Sequence, residues 1–330
     1  MLISGTNLEV TFRVGPLFRQ QSLLAVAGVS FDIAEKETFA LVGESGSGKT
    51  TLARAINGLQ AVSAGQIHFD GGRIDNLSAG EMKSYRQQIA MIFQDPVGSL
   101  SPRMTVGDLI TEPFKVHSIK CDEGKEVQRL LSLVGLPSDF SRRYPHQLSG
   151  GQARRVGVAR AIALNPRLII ADEPTAGLDV SVQGEVLNRL KDLKGELGLS
   201  MLIITHNLHV VRRVADRMAV MYLGRFVEVN QTSEIFRAPA HPYTASLLSA
   251  NPEPDPDSKR DRISLPADVP SLMARPGGCE FHTRCPWVEE RCCQEAPSGV
   301  SPDNPVTCHF PLKPGAKPPK RPAGRERMGA

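Results

Sequence analysis

The residues with the clearest chemistry are Gly43-Glu44-Ser45-Gly46-Ser47-Gly48-Lys49-Thr50, which fit G-x-x-x-x-G-K-[ST] and follow the apolar run Phe39-Ala40-Leu41-Val42. Glycines at this spacing let successive backbone N–H groups turn inward around a polyphosphate, helped by the positive end of a helix that starts near Thr50. Lys49 is placed to reach the outer phosphates and the Thr50 hydroxyl to sit on Mg²⁺, with Thr51 next in the same stretch. A strand before and a helix after is the context the motif needs, so the chain is expected to bind a nucleoside triphosphate.

Two further groups suit the same chemistry. Leu168-Ile169-Ile170-Ala171-Asp172-Glu173 is an apolar strand ending in two carboxylates. Downstream of a phosphate loop, Asp172 is the candidate for Mg²⁺, and Glu173, one residue further out, for polarising an attacking water as general base. Leu148-Ser149-Gly150-Gly151-Gln152 opens a helix running through Arg160. A serine hydroxyl, free N–H groups and a helix dipole make another anion-binding arrangement, although an isolated instance would be an ordinary N-cap. His206 ends the run Met201-Leu202-Ile203-Ile204-Thr205, where a histidine on its own would be only a polar residue at a strand end.

The elements that must position these groups follow from periodicity. Leu8–Phe12 and Val29–Ile33 alternate as strands, 51–59 reads as a helix, and 66–69 and 89–93 read as short strands. From about 106 to 164 the pattern is mostly helical, with breaks expected at Pro113, Pro137 and Pro145. Strands at 168–171 and 201–204 flank a helix over about 181–197, and two more short strands lie at 218–222 and 225–229. Strands alternating with helices predict an α/β chain with a mainly parallel sheet covered on both faces. After about 236 proline becomes frequent and periodicity fades; residues 313–330, rich in Pro, Lys, Arg and Gly, are expected to be a disordered tail.

At 330 residues there is room for a large domain and a smaller one. A net charge of +4, one Trp and four Tyr argue against nucleic acid as partner, which would call for a basic patch and stacking aromatics. No apolar run approaches the ~20 residues of a membrane span, and the N-terminus lacks the pattern of a signal peptide, so a cytosolic protein is expected. Cys121 stands alone, whereas Cys279, Cys285, Cys292, Cys293 and Cys308 crowd one segment. In a reducing compartment such crowding suggests metal rather than disulfides.

The phosphate loop, Gln94 after a strand, LSGGQ at 148–152, Asp172-Glu173, Leu178-Asp179 and His206 occur in the order found in the ATPase subunits of ABC transporters, and the chain resembles that family over residues 1 to about 235. The resemblance implies a P-loop NTPase fold with a RecA-like core, an antiparallel β subdomain, a helical signature subdomain at about 97–164 and ATP as the nucleotide. It implies that two such chains pack head to tail, so that Ser149, Gly150, Gly151 and Gln152 serve the ATP held by the partner's P-loop. It also implies that Gln94 senses Mg²⁺ or the attacking water, His206 contacts the γ-phosphate and Asp179 links the two sites. An adenine-stacking aromatic is expected near the end of the first strand, with Phe12 best placed and Phe18 its rival. Many relatives carry Arg-Gln or Gln-Gln after LSGGQ; here Ala153-Arg154-Arg155 follows, from which no loss of activity is inferred.

The resemblance extends past the core. His241-Pro242-Tyr243-Thr244 with Leu247-Leu248-Ser249-Ala250, Gly278-Cys279, Phe281-His282, Arg284-Cys285-Pro286 and Cys308 resemble the C-terminal extension, here about 236–312, of oligopeptide and dipeptide importer ATPases. Gly15-Pro16-Leu17-Phe18-Arg19 and Asp268-Val269-Pro270-Ser271 lean toward the second, F-type, ATPase of such importers. The implied partners are a distinct D-type ATPase, two membrane permeases and, indirectly, an extracytoplasmic solute-binding protein, on the cytoplasmic face of the bacterial inner membrane. Peptides are the default solute, with nickel, glutathione or opine-like solutes as alternatives and a soluble, non-transport ABC ATPase as the remaining one. The spacing C-x5-C-x6-C with a later fourth Cys lacks the C-x2–4-C pairs of common zinc sites. Some members of the family carry a 4Fe-4S cluster here, so Cys279, Cys285, Cys292 and Cys308 are expected to hold one, with Cys293 spare; zinc and unliganded thiols are the alternatives.

Overall fold

The computed structural model describes residues 1–16, 18, 20–95, 97–177, 180–251, 262–301 and 303–318. In chain order the strands are β1 (Ile3–Val14), β2 (Gln21–Ile33), β3 (Thr38–Val42), β4 (Ala64–Phe69), β5 (Gly72–Arg73), β6 (Ile89–Ile92), β7 (Leu168–Asp172), β8 (Ser200–Ile204), β9 (Arg217–Tyr222) and β10 (Arg225–Gln231). The helices are α1 (Lys49–Ile56), α2 (Ala79–Gln88), α3 (Val106–Val116), α4 (Glu123–Leu133), α5 (Gly150–Ile162), α6 (Val180–Leu197), α7 (Leu208–Val214), α8 (Thr232–Arg237), α9 (Pro242–Ala250) and α10 (Glu290–Gln294).

Six strands form one sheet in the order β10-β9-β3-β8-β7-β6, parallel from β9 to β6 with β10 antiparallel at the edge. Every residue of β3, β7 and β8 is buried, as expected of parallel strands covered on both faces. Their period-2 alternation divides the core. Leu168, Ile170, Leu202 and Ile204 pack with α1 and with a second, antiparallel sheet of order β2-β1-β4-β5. Ile169, Ala171, Met201 and Ile203 pack on the opposite face against α3, α5 and α6.

The helices between β6 and β7 depart from expectation at one proline. Pro113 lies inside α3 rather than ending it. An interior proline removes one backbone hydrogen bond at a cost of about 3 kcal/mol; burial of Leu109 and Ile110 before it and Phe114 after it holds the helix through the defect. Pro137 and Pro145 do mark boundaries, each at the start of a short 3-10 turn.

The segment after β10 folds back on the sheet. Ala40, Val42, Val220 and Tyr222 form a third core with Tyr243, Phe281 and Cys285. Val229 donates its N–H to the Pro305 carbonyl and Thr307 donates to Val227, each at 2.8 Å, so the extension covers the free edge of β10. The stretch expected as a tail is described as far as residue 318, where the Trp287 indole donates to the Lys317 carbonyl at 3.3 Å; residues 319–330 lie outside the described residues.

Candidate functional site

The loop between β3 and α1 takes its shape from glycine. Gly48 caps α1 with φ +103 and no side-chain hydrogen bond, and a Cβ there would come within 2.4 Å of the Ala25 carbonyl oxygen. No other residue fits that conformation and that spacing together. The helix start therefore presents bare N–H groups to the loop. Lys49 Nζ donates to the carbonyls of Gly43 and Glu44 at 2.8 Å and to Ser47 Oγ at 3.3 Å, which aims the ammonium along the inside of the loop. Burial pulls its pKa down, against the raising charges of Glu173, Asp172 and Glu44.

Sheet order brings the carboxylates beside the loop. β8 lies between β3 and β7, Asp172 pairs with Ile204, and Glu173 N–H continues the ladder to the Ile204 carbonyl at 2.8 Å. Burial pushes the Asp172 carboxyl up; a hydrogen bond with the Thr50 side chain opposes it, while the Glu173 charge adds to it. Asp172 Oδ1 is buried without a hydrogen-bond partner. Glu173 sits at φ +51, a left-handed conformation that costs a non-glycine residue on the order of 1–3 kcal/mol. In that pose its Oε1 lies 2.8 Å from His206 Nδ1.

These groups share one cleft of about 480 Å³. Gly43, Ser45, Gly46, Gly48, Lys49, Thr50 and Thr51 line it from the loop; Gln94, Asp172, Glu173 and His206 line it from the ends of β6, β7 and β8. Phe12 contributes to its wall and packs on the core, whereas Phe18 is 96% exposed and has no place there. Glu44 and Ser47 turn away from the lining: the Glu44 carboxylate meets Arg284, and buried Ser47 accepts from Lys49. Leu23, Ala25 and Leu272 complete the apolar wall and were not anticipated from the sequence. The first two belong to a half of β2 whose alternation is weak; Leu272 lies in a stretch without periodicity.

The glycine pair of LSGGQ stands elsewhere. Ser149 caps α5, accepting the Gln152 N–H at 3.3 Å while Gln152 Oε1 accepts the Ser149 N–H at 3.0 Å, and neither Ser149, Gly150, Gly151 nor Gln152 lines the P-loop cleft. Ser149 and Gly150 are exposed. Behind them, Arg154 is buried and donates to the Ala176 carbonyl at 2.9 Å, while Ala176 N–H returns to Glu173 at 3.1 Å. Arg154 thus joins the signature helix to the loop that follows Glu173, a contact the sequence reading did not supply. Leu178 and Asp179 lie outside the described residues.

The cysteine segment is a separate matter. Cys279, Cys285, Cys292 and Cys308 lie close enough for their charges to interact, and burial pushes the thiols of Cys285 to about 12 and Cys308 to about 11. Backbone hydrogen bonds from Phe281, Trp287 and Phe310, each two residues on, oppose this at Cys279, Cys285 and Cys308. Cys293 is exposed. Among the described residues, however, no group of three or more His, Cys, Asp or Glu is arranged to hold a metal ion, so the thiols gather without closing to ligand geometry. The P-loop side is different: a hydroxyl and an unpartnered buried carboxylate oxygen are the hard donors that Mg²⁺ takes, and Thr50 and Asp172 fit it.

Comparison with known proteins agrees with this geometry. Residues 26–176 match the family described as ABC transporter, and residues 227–292 the oligopeptide/dipeptide transporter C-terminal region. The chain is 44% identical to the oligopeptide transport ATP-binding protein OppF of Haemophilus influenzae, over 92% of this chain and 95% of that one. It is 46% identical to the oligopeptide transport ATP-binding protein AppF of Bacillus subtilis, over 87% and 89% respectively. Among solved structures, the dimeric ATP-binding cassette MJ0796 bound to ADP and Pi superposes with a TM-score of 0.64 at 28% identity, over 70% of this chain and 99% of that one. CbiO1 of Clostridium perfringens, part of the ABC transporter complex cbiONQ, does so with 0.61 at 29%, over 71% and 90%. A P-loop cleft with its carboxylates, joined to this extension, places the chain among the ATP-binding subunits of the oligopeptide/dipeptide ABC transporter family, ATPases that bind ATP with Mg²⁺.

Proposed function

We propose that the chain hydrolyses ATP to drive uptake of di- and oligopeptides through partner permeases. The observation that carries the reading is the single cleft in which Lys49, Thr50, Asp172, Glu173 and His206 meet while Ser149 and Gly150 stand exposed outside it. A site missing its signature half in cis is completed by a second ATPase packed head to tail. In that reading residues 1–235 are the ATPase core, with about 97–164 as the helical arm that carries Ser149, and 236–312 are the extension.

Each side chain then has a task. The P-loop N–H groups and Lys49 hold the β- and γ-phosphates, and Phe12 meets the adenine. Thr50 and Asp172 hold Mg²⁺, which supplies charge neutralisation at the phosphates, with Gln94 beside them. Glu173 Oε takes a proton from water as the water oxygen bonds to the γ-phosphorus; the bond from that phosphorus to the bridging oxygen breaks, and ADP leaves with its electron pair. His206 keeps the carboxylate aimed through its Nδ1 contact. Ser149, Gly150, Gly151 and Gln152 would serve the partner's ATP, and Asp179 the link between sites. Positioning and charge, rather than covalent help, supply the rate.

No helix among the described residues is long and apolar enough to cross a membrane. A distinct D-type ATPase, two permeases and an extracytoplasmic binding protein are the proposed assembly, at the cytoplasmic face of the bacterial inner membrane. Capture of the tagged chain from mildly solubilised native membranes tests this: two permeases and a second ATPase are expected, and recovery of the chain alone refutes it. For the cysteines, we propose a 4Fe-4S cluster on Cys279, Cys285, Cys292 and Cys308, with zinc as the alternative. It is supported by four gathered thiols and the N–H groups two residues on at three of them, a pattern that stabilises thiolate sulfur. Anaerobically purified protein should be brown and contain iron and acid-labile sulfide; colourless protein with zinc, or with neither, ends that assignment.

A further inference from the structure

The structure assigns the C-terminal extension a share in the nucleotide site of its own chain: Arg284 and Tyr243 are positioning residues that fix Glu44, the second residue of the P-loop, and Leu272 closes the apolar wall. This rests on the reading of the cleft as the ATP site.

Every polar group of Glu44 is engaged. Its carboxylate takes two hydrogen bonds from the Arg284 guanidinium, at 2.7 and 3.1 Å. Its N–H goes to the Tyr243 hydroxyl at 2.9 Å, and its carbonyl accepts Lys49 Nζ at 2.8 Å. Arg284 is itself buried and anchored by a 2.9 Å bond from Nε to the Ala267 carbonyl, so the fork cannot swing away cheaply. The ring of Tyr243 is enclosed between Tyr222 and Phe281, at 4.8 and 5.5 Å.

The consequence is geometric. A phosphate loop works only if its successive N–H groups point to one centre. Holding Glu44 by both peptide faces and by its side chain sets the direction of the peptides on either side, and through the Glu44 carbonyl it also sets where Lys49 rests. Two of those three restraints come from residues about 200 and 240 positions away in the chain. A second contribution is direct: Leu272, from the extension, lines the cleft together with Leu23 and Ala25 of β2. The cassette core alone would have neither. The pre-set loop lowers the ordering cost of binding, so the effect belongs in affinity for nucleotide rather than in the chemical step.

Full-length wild type, Y243F, R284M, R284K, L272A and the double variant E44Q/R284M are titrated with a fluorescent ATP analogue, and turnover is measured alongside melting temperature. Y243F removes one hydroxyl and keeps the ring; it should raise the Kd about three- to tenfold with kcat within about twofold and an unshifted melt. R284M should raise it tenfold or more, R284K should recover part of that, and E44Q/R284M should be no weaker than R284M, because the two side chains act as one unit. L272A should weaken ATP and ADP alike. Wild-type Kd in folded Y243F and R284M overturns the assignment. If R284M does not fold, Y243F with L272A decides in the same way. Failure of the wild type to bind the analogue would instead overturn the ATP-site reading itself.

Discussion

Acidification from about pH 7.5 to about pH 5 should destabilise this chain through His241, by an amount the surroundings of the ring set. The ring is enclosed, packed 5.6 Å from Phe281, and its Nδ1 accepts the Tyr243 N–H at 3.0 Å, which caps α9. Burial lowers its pKa from 6.5 to about 3, opposed by a backbone hydrogen bond at Thr307. On β10, the Glu228 carboxylate accepts the N–H groups of Ala240 and His241. A histidine with a depressed folded pKa binds its proton in the unfolded chain first. Stability is therefore lost from about pH 6.5 downward and continues to fall until about pH 3. At about pH 5 the difference is about one and a half pH units, or about 2 kcal/mol at ~1.36 kcal/mol per unit. With ~2.1 cal/mol/K of unfolding entropy per residue, that is a melting shift of roughly 3 °C.

His241→Asn isolates this contribution. Asn can still accept the Tyr243 N–H as an N-cap, and the volume it gives up costs the same at every pH. Burial raises the pKa of Glu228, so that group takes up its proton earlier in the folded chain and works in the opposite sense, but in both proteins. Thermal melts of wild type and variant across the pH series should converge by roughly 3 °C toward about pH 5. In the folded chain the ring stays neutral until about pH 3, so the Nδ1 acceptor that caps α9 persists, and this ring should leave ATP affinity of the wild type unchanged over the same window. Parallel melting curves would refute the burial argument.

Two other substitutions address the catalytic end. Glu173→Gln should leave ATP binding intact and lower turnover by about 10²–10⁴-fold, read in single-turnover assays; near-normal hydrolysis would remove Glu173 as the base. Arg154→Met removes the donor to the Ala176 carbonyl and should lower kcat about tenfold while ATP affinity stays within about twofold, and an unchanged kcat would mean the link to the Glu173 loop carries nothing.

What could be read in the sequence is what is written locally. The P-loop is a contiguous turn whose glycines have a conformational reason, and Asp172, Glu173 and His206 sit at the ends of apolar runs whose burial on both faces marks them as central strands. The Pro113 break failed because tertiary burial on either side outweighs one missing hydrogen bond. The contacts of Glu44 were beyond reach for another reason. A glutamate in a glycine-rich loop has no periodic neighbour to betray its partner, and Arg284 lies in a segment whose proline content hides any pattern. The motif His241-Pro242-Tyr243-Thr244 was legible as a family mark but not as a device; the device exists only once the fold brings Tyr243 of α9 to the loop that follows β3.

That distinction bears on how the extension is to be understood. Were it an appendage, its polar groups would be satisfied within itself and its contacts with the core would be apolar and replaceable. Instead a buried arginine spends its fork on a P-loop glutamate, Arg275 donates to the Leu24 carbonyl in β2, and a tyrosine hydroxyl takes a P-loop N–H. Removing one partner of a buried pair leaves an uncompensated charge, which costs more than the pair contributes when intact. The core and the extension are thereby tied at the one loop whose shape ATP reads. A displacement of the segment around Arg284 would therefore reach the P-loop through Glu44.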